Sequence, residues 1–248
     1  MIKLTKEQNT PIATHRLLEN IKPSATKLLL DGAGIDVLDV IKFTFFDLII
    51  KQVLSVKKEL RRSHPRDPNL REYSIVETGV KFSGYEADPF ESYFVRIIDE
   101  NSFYHLLGYL KKVYNDLPSN YSCYRYVIKG SKVQQKFHHN LITMIFRWTF
   151  LNRRGKRFRK VVRAYLKEID DTILELLDNE PEKALQLIRS LKGNIFLLKT
   201  IKFELFEKLK ALSKAVEGNS NTDDDMYDGI FIDYHFDGSI PKIRENVH

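Results

Sequence analysis

The pattern of apolar and polar positions along the chain predicts a mainly α-helical protein. Apolar residues dominate the segment from Asp36 to Val53 and fall on every face of a helix, which is typical of a helix buried in a core. Asp36 is a suitable N-cap for that helix. The preceding segment 31–34 contains two glycines and therefore favours a turn after the short helices expected in residues 1–34.

A β-hairpin is predicted directly after the buried helix. Residues 54–60 alternate between apolar and polar side chains, residues 61–69 are a polar loop, and residues 71–76 can return as a second strand. Asp88 followed by a proline is typical of a helix start. Helices are therefore expected to about residue 98 and again over 100–115.

The second half of the chain shows a stronger helical pattern. Apolar residues recur at helical spacing over 137–148 and over 158–173, and Gly155 is predicted to separate these two helices. Pro181 begins another helix, and a break at residues 193–194 precedes an apolar pattern that continues to residue 216.

The chain divides into three parts. Residues 1–116 are expected to form a helical half with the hairpin at about 54–76, and residues 117–216 a basic helical half packed on it as one compact unit. Residues 217–248 are read as an acidic linker and tail. A chain of 248 residues is long enough to bury a core without disulfides or metals.

The stretch from Phe45 to Gly79 resembles the second half of a winged-helix domain. The pieces that carry the resemblance are the helix end FFDLIIKQVLSV, the tip RRSHPRDPNLR and the second strand EYSIVETGVKF. The resemblance implies a mainly α fold with a winged-helix-like hairpin in its N-terminal half. A DNA-reading winged helix presents a polar helix to the major groove, whereas this helix is apolar on every face. The basic tip could still contact phosphates through Arg61, Arg62, His64 and Arg66.

The layout of the whole chain is also similar to that of Golgi phosphoprotein 3-like proteins. An early buried helix ends in a hairpin, and a helical remainder carries a basic surface; FFDLIIKQVLSV is again the best local match. This resemblance implies binding of phosphoinositide head groups at a membrane, without implying particular site residues.

Positive charge is concentrated in one part of the chain. The protein has 40 Lys and Arg residues and 33 Asp and Glu residues, for a net charge of +7. Residues 117–167 contain 13 of the basic residues and no acid, so the remainder has 27 basic residues against 33 acidic ones. This asymmetry indicates either a surface for an anionic partner or internal pairing with the acidic remainder, particularly the tail.

The candidate anion-binding residues lie at the end of that stretch. On a helix, Lys156, Lys160, Arg163 and Lys167 share one face. The full candidate set is Arg153, Arg154, Lys156, Arg157, Arg159, Lys160, Arg163 and Lys167.

The candidate set is compatible with more than one partner. Possible partners are nucleic acid, an anionic membrane surface or another protein, and a merely solvated face is the alternative. The nearby Phe146, Trp148 and Phe150 could stack on bases or enter a lipid interface, although core packing is the favoured reading for Trp148.

Other constellations of residues support no chemistry. His138 and His139 are adjacent and would point about 100° apart on a helix, so they cannot bind one metal together. A calcium loop beginning at Asp233 would have Arg244 at the position that needs a carboxylate. Cys123 is the single cysteine and has no activating motif around it.

Glycine-rich binding motifs are also incomplete. Gly32 and Gly34 lack the third glycine of a dinucleotide-binding fingerprint, and the segment 129–132 lacks the first glycine of a P-loop. We therefore expect a non-enzymatic protein that needs no cofactor; an enzyme whose site is assembled from residues scattered along the chain is the alternative. The absence of a signal peptide, of a long apolar run and of a second cysteine predicts a cytoplasmic location.

Overall fold

The computed structural model describes residues 17–199, except for 63, 65, 67, 130, 139–144, 147 and 148, and it does not describe the side chain of Ala33. Several expectations lie outside these residues. They are the polar start, most of the helix over 137–148, the apolar pattern from 200 to 216, and the whole tail with its calcium-like segment.

Within the described ranges the protein is mainly helical and has a three-stranded antiparallel sheet in the order β1-β2-β3. The α-helices are α1 (Pro23–Asp31), α2 (Val37–Ile50), α3 (Ser92–Val95), α4 (Leu106–Asp116), α5 (Asn120–Lys129), α6 (Arg153–Asn179) and α7 (Pro181–Leu191). The strands are β1 (Leu54–Arg62), β2 (Leu70–Thr78) and β3 (Tyr104–His105). Short 3₁₀ turns lie at Gly32–Gly34, Gln134–Lys136 and Lys192–Leu197.

Helix α2 is the buried helix that its apolar pattern predicts. The side chain of Asp36 accepts a hydrogen bond from the backbone N–H of Leu38 at 2.9 Å, as an N-cap does. Nine of the 14 helical residues are buried, among them Phe45 and Leu48. A helix enclosed in this way cannot present side chains to the groove of a nucleic acid.

The hairpin forms as predicted, and both of its strands are longer than the predicted segments 54–60 and 71–76. Strands β1 and β2 pair from Leu54 opposite Thr78 to Arg62 opposite Leu70. The base of the hairpin is buried in the core, whereas its tip is exposed.

The predicted helix over 100–115 begins later than expected. Tyr104 and His105 instead form β3, which pairs with Ile75 and Val76 of β2, and the helix starts at Leu106. These two residues form a strand because their backbone groups pair with the free edge of β2. The local sequence pattern does not reveal this pairing.

The helix expected from Asp88 is also much shorter than predicted. Asp88 caps the turn by accepting hydrogen bonds from the N–H groups of Phe90 and Glu91. The Glu91 carboxylate accepts one from the Asp88 N–H at 3.1 Å, which completes a capping box. The regular helix nevertheless covers only Ser92–Val95.

One continuous core joins the two halves of the described chain. It includes side chains from Leu18 to Leu198. Tyr124 of α5, a helix that the sequence pattern did not predict, donates a hydrogen bond to the Ile35 carbonyl at 2.7 Å. Helix α7 begins at Pro181 as expected.

Among the described residues, we find no helix with the length and apolar character that a membrane-spanning segment requires.

Candidate functional site

Helix α6 carries all eight candidate anion-binding residues, and its N-terminus is fixed by the chain that precedes it. Asn152 is the N-cap: its side-chain oxygen accepts a hydrogen bond from the Gly155 N–H at 2.9 Å. Its side-chain amide donates to the carbonyls of Gln135 and Phe137 at 2.8 and 3.2 Å. The first turn of α6 is therefore joined to the segment 135–137.

Gly155 lies inside the first turn of α6, so the prediction that it separates two helices is wrong. The helix begins at Arg153, two residues before the glycine. A Cβ atom at position 155 would lie 2.1 Å from the carbonyl oxygen of Lys136. The glycine is required for this close backbone approach rather than for a break in the helix.

The apolar face of α6 places its basic face toward solvent. Val162, Tyr165, Ile169 and Ile173 are buried in the core at helical spacing. Seven of the eight candidate residues are exposed, and Arg159 is half-buried. Lys156, Lys160, Arg163 and Lys167, which were predicted to share a face, are all among the exposed ones.

Two of the eight candidates are engaged with the end of α1. A guanidinium N–H of Arg163 donates to the Leu30 carbonyl at 2.8 Å. The guanidinium of Arg159 lies beside Gly32, where a Cβ would be 4.0 Å from its Nη1. Both arginines therefore lie at the carboxyl end of a neighbouring helix, where a positive charge is favourable.

The other six candidate residues make no ion pair with any carboxylate in the part of the chain that the structure describes. They are Arg153, Arg154, Lys156, Arg157, Lys160 and Lys167. Their charges are thus presented to solvent, and we call these six residues the α6 basic face.

The order of charges along α6 opposes the helix dipole. The basic residues occupy the N-terminal half, and Glu168, Asp170, Asp171, Glu175 and Asp178 follow in the C-terminal half. The positive end of the dipole favours acids, so each basic residue in the first turn costs a few tenths of a kcal/mol, up to about 1 kcal/mol. The basic residues are therefore not placed where they would stabilise this helix.

Two aromatic side chains that precede α6 in the chain are exposed. Phe146 and Phe150 are 57% and 43% exposed, and Ile145 of the predicted apolar stripe is also exposed. Trp148 lies outside the described residues. Phe150 is three residues from Arg153, so at least one exposed ring lies close to the basic first turn along the chain.

The tip of the hairpin offers fewer available charges than its sequence suggests. Arg61 forms an ion pair with Glu59 at 2.5 Å and stacks on the ring of Phe103 at 4.3 Å. Arg62, His64 and Arg66 are exposed.

A groove of about 410 Å³ lies between α6 and α7, beside the acidic half of α6. Its floor is apolar and includes Ile169, Leu176 and Leu187. Glu168 and Glu175 of α6 also line it. The surface around this groove is therefore opposite in sign to the α6 basic face.

A buried ionic cluster is the second concentration of charge, and the sequence pattern did not reveal it. The ammonium of Lys51 lies 2.7 Å from Asp47 and 2.8 Å from Glu91, and that of Lys22 lies 2.7 Å from Glu91. The hydroxyl of Tyr85 donates to Glu91 at 2.9 Å. The signal available in sequence was the Asp88–Glu91 capping-box spacing.

The cluster is electrostatically satisfied rather than reactive. Burial opposes ionisation of Glu91, but the attraction of Lys51 and Lys22 outweighs it and lowers the pKa of Glu91 to about 2. Burial likewise opposes the charged form of Lys51, but Asp47 and Glu91 raise the pKa of Lys51 above its usual value. A lysine held protonated in this way is a poor nucleophile and a poor general base.

The single cysteine is unreactive, and the described histidines form no metal site. Burial raises the pKa of the Cys123 thiol to about 11, so the thiolate is scarce at neutral pH. His138 is exposed, and His139 lies outside the described residues. Among the residues that the structure describes, no group of three or more His, Cys, Asp or Glu side chains could hold a metal ion.

Comparison with known proteins gives no relative from which a function could be inferred. No family model, no curated protein and no solved structure matches the chain. The function is therefore inferred from the geometry and charge of the surfaces described above.

Proposed function

We propose that this protein is a non-enzymatic binding or adaptor protein that engages a polyanion through the α6 basic face, with nucleic acid as the first candidate partner. The observation that carries the proposal is the set of six exposed cations on one helix that have no carboxylate partner among the described residues. Anionic phospholipid head groups are the second candidate partner.

The dimensions of the surface fit a chain of phosphates. Arg153 and Lys167 are separated by 14 helical residues, which corresponds to about 21 Å along the axis. Duplex DNA carries one negative charge per about 1.7 Å of its axis, so several phosphates lie within reach of one such helix. Each neutralised phosphate releases counterions, which makes the binding strongly dependent on salt.

The cost of the charge arrangement to the helix also supports a role in binding. Basic residues in the first turn weaken α6 through the dipole, and the buried apolar face compensates for that cost.

Charge reversal of Arg154 and Lys156 tests this proposal. The variant Arg154→Glu/Lys156→Glu should retain the fold, because acids near a helix N-terminus are favourable. Its affinity for a fluorescent DNA duplex, measured by anisotropy, should fall by more than tenfold if both residues contact phosphates.

The matched control is Lys81→Glu/Lys111→Glu, which changes the net charge equally at exposed lysines outside α6. Equal loss of affinity in the two variants would show a non-specific effect of net charge and would contradict the proposal. Pelleting with phosphatidylserine vesicles in the absence of any DNA binding would select the lipid surface over nucleic acid.

A protein-interaction or regulatory module remains the alternative proposal. In it, the acidic residues of the tail, such as Asp223, Asp224 and Asp225, cover the α6 basic face. Removal of residues 218–248 should then create polyanion binding that the full chain lacks. If the full chain and the shortened chain bind DNA equally, the tail does not cover this face.

A further inference from the structure

The exposed face of α6 has opposite charges on its two halves, and we propose that it pairs with the same face of a second copy of this chain, the two helices running antiparallel. Arg157, Lys160 and Lys167 are exposed on the N-terminal half of this face. Asp171 and Glu175 are exposed on the C-terminal half. A face with this distribution of charge is complementary to itself when one copy is reversed.

The positions of the charges are symmetric about a point between Lys167 and Glu168, close to the middle of α6 at Leu166. Lys160 and Glu175 are equally far from that point, about 11 Å along the axis on either side. A two-fold axis at this point brings Lys160 of each copy level with Glu175 of the other. A parallel arrangement would instead place like charges opposite each other.

Apolar side chains follow the same symmetry. Val161 and Leu174 are 51% and 44% exposed, and they too are equally far from the point between Lys167 and Glu168. Ala164 is exposed between them and is small enough to permit close approach of a second helix. The expected contact therefore combines a limited apolar area with ion pairs that depend on salt.

Antiparallel pairing also accounts for charges that are unfavourable within one helix. The basic N-terminal half of each α6 would lie beside the acidic half of the other and near the negative end of its dipole. The arrangement that weakens an isolated helix thus stabilises a pair of helices. A 27-residue helix is about 40 Å long, so this contact falls at the small end of stable interfaces and the dimer should dissociate reversibly.

This inference does not depend on the proposed polyanion partner, although the two surfaces overlap at Arg157, Lys160 and Lys167. A polyanion bound to α6 should compete with the second copy. Self-association is therefore measured on nuclease-treated full-length protein that is free of nucleic acid, so that failure of either proposal is seen separately.

The test is sedimentation velocity over a range of concentrations at low ionic strength. The wild-type chain should show a monomer–dimer equilibrium that shifts to monomer as salt is added. Either single variant, Lys160→Glu or Glu175→Lys, should weaken the dimer on the order of tenfold, because one reversal affects two symmetry-related contacts.

The decisive sample is a mixture of the two single variants. In a mixed dimer, Glu at position 160 of one chain meets Lys at 175 of the other, and the second contact pairs Lys160 with Glu175 as in the wild type. Mixing should therefore restore dimerisation, and the double variant Lys160→Glu/Glu175→Lys should dimerise alone.

Three results would overturn the proposal: a monomer at all concentrations, a dimer unaffected by either reversal, or no recovery on mixing. Circular dichroism of each variant provides the control for folding. Both positions are exposed, so the melting curves should match that of the wild type at a salt and protein concentration at which the wild type is monomeric.

Discussion

Helix propensity and the packing of α6 predict opposite effects of the substitution Gly155→Ala on the stability of the protein. In an exposed helix, alanine in place of glycine stabilises by about 1 kcal/mol. At this position, however, the new Cβ would lie 2.1 Å from the Lys136 carbonyl oxygen and 3.0 Å from a methyl group of Leu151. The first contact is with backbone, which cannot move aside as a flexible side chain can.

The clash should therefore outweigh the gain in propensity. Overpacking of a well-packed site costs about 1–3 kcal/mol, and the Lys136 carbonyl also accepts a hydrogen bond from the Asn152 N–H at 3.0 Å. We expect Gly155→Ala to lower the free energy of unfolding by about 1–3 kcal/mol in urea denaturation. It should also displace the start of α6 and weaken polyanion binding.

Gly108 provides a matched control, because it is the third residue of α4 as Gly155 is the third residue of α6. A Cβ there meets no atom within 4 Å, so Gly108→Ala should raise the free energy of unfolding by about 0.5–1 kcal/mol. If Gly155→Ala stabilised the protein as much as Gly108→Ala does, the close approach of α6 to Lys136 would be refuted.

Three further predictions concern the buried ionic cluster, the cysteine and the cap of α2. The pKa of Glu91 is lowered to about 2 in the folded protein from an ordinary 4.5, which corresponds to a contribution of about 3 kcal/mol to the free energy of unfolding. This contribution is present above pH 4.5 and is lost as the pH falls toward 2. Glu91→Gln should reduce the slope of unfolding free energy against pH in this window, and an unchanged slope would contradict the assignment. Cys123 is buried, and burial raises the pKa of its thiol to about 11. A thiol reagent at mildly alkaline pH should therefore modify the native protein far more slowly than the urea-unfolded chain. Equal rates would show that the thiol is accessible. Asp36→Ala should lower the free energy of unfolding by about 1 kcal/mol through loss of the hydrogen bond to Leu38, and Asp36→Asn, which retains an acceptor, should restore most of it.

Sequence reasoning was most successful where the signal is local. The apolar positions of α2 and its N-cap Asp36 lie within one segment, and the alternating strand at 54–60 adjoins it. Pro181 likewise marks the first residue of α7. Each of these features depends on neighbours in the sequence, which a pattern of residues records.

The features that the sequence did not reveal depend on distant parts of the chain. Helix α5 is held by Tyr124, whose hydroxyl reaches the carbonyl of Ile35, 89 residues away. Strand β3 requires the free edge of β2, and the role of Gly155 requires the Lys136 carbonyl beside it. Such partners become visible only when the tertiary structure is known.

The candidate site also combines features that are local in sequence with features that depend on distant parts of the chain. Its eight basic residues could be identified from sequence, because charge and helical spacing are local properties. The sequence could not show that Arg163 donates a hydrogen bond to the Leu30 carbonyl, or that Arg159 lies beside Gly32, because both neighbours are distant in the chain. The buried cluster around Glu91 joins three separate segments, and only its capping-box spacing is local.

The dependence of DNA affinity on salt tests the central claim most directly. The slope of log K against log salt for the wild-type chain gives the number of phosphates neutralised, at about 0.9 per phosphate on duplex DNA. The account predicts that Arg154→Glu/Lys156→Glu reduces the magnitude of this slope by about 1.8, while Lys81→Glu/Lys111→Glu leaves it unchanged. A slope that is the same for the wild type and both variants would contradict the assignment of polyanion binding to α6.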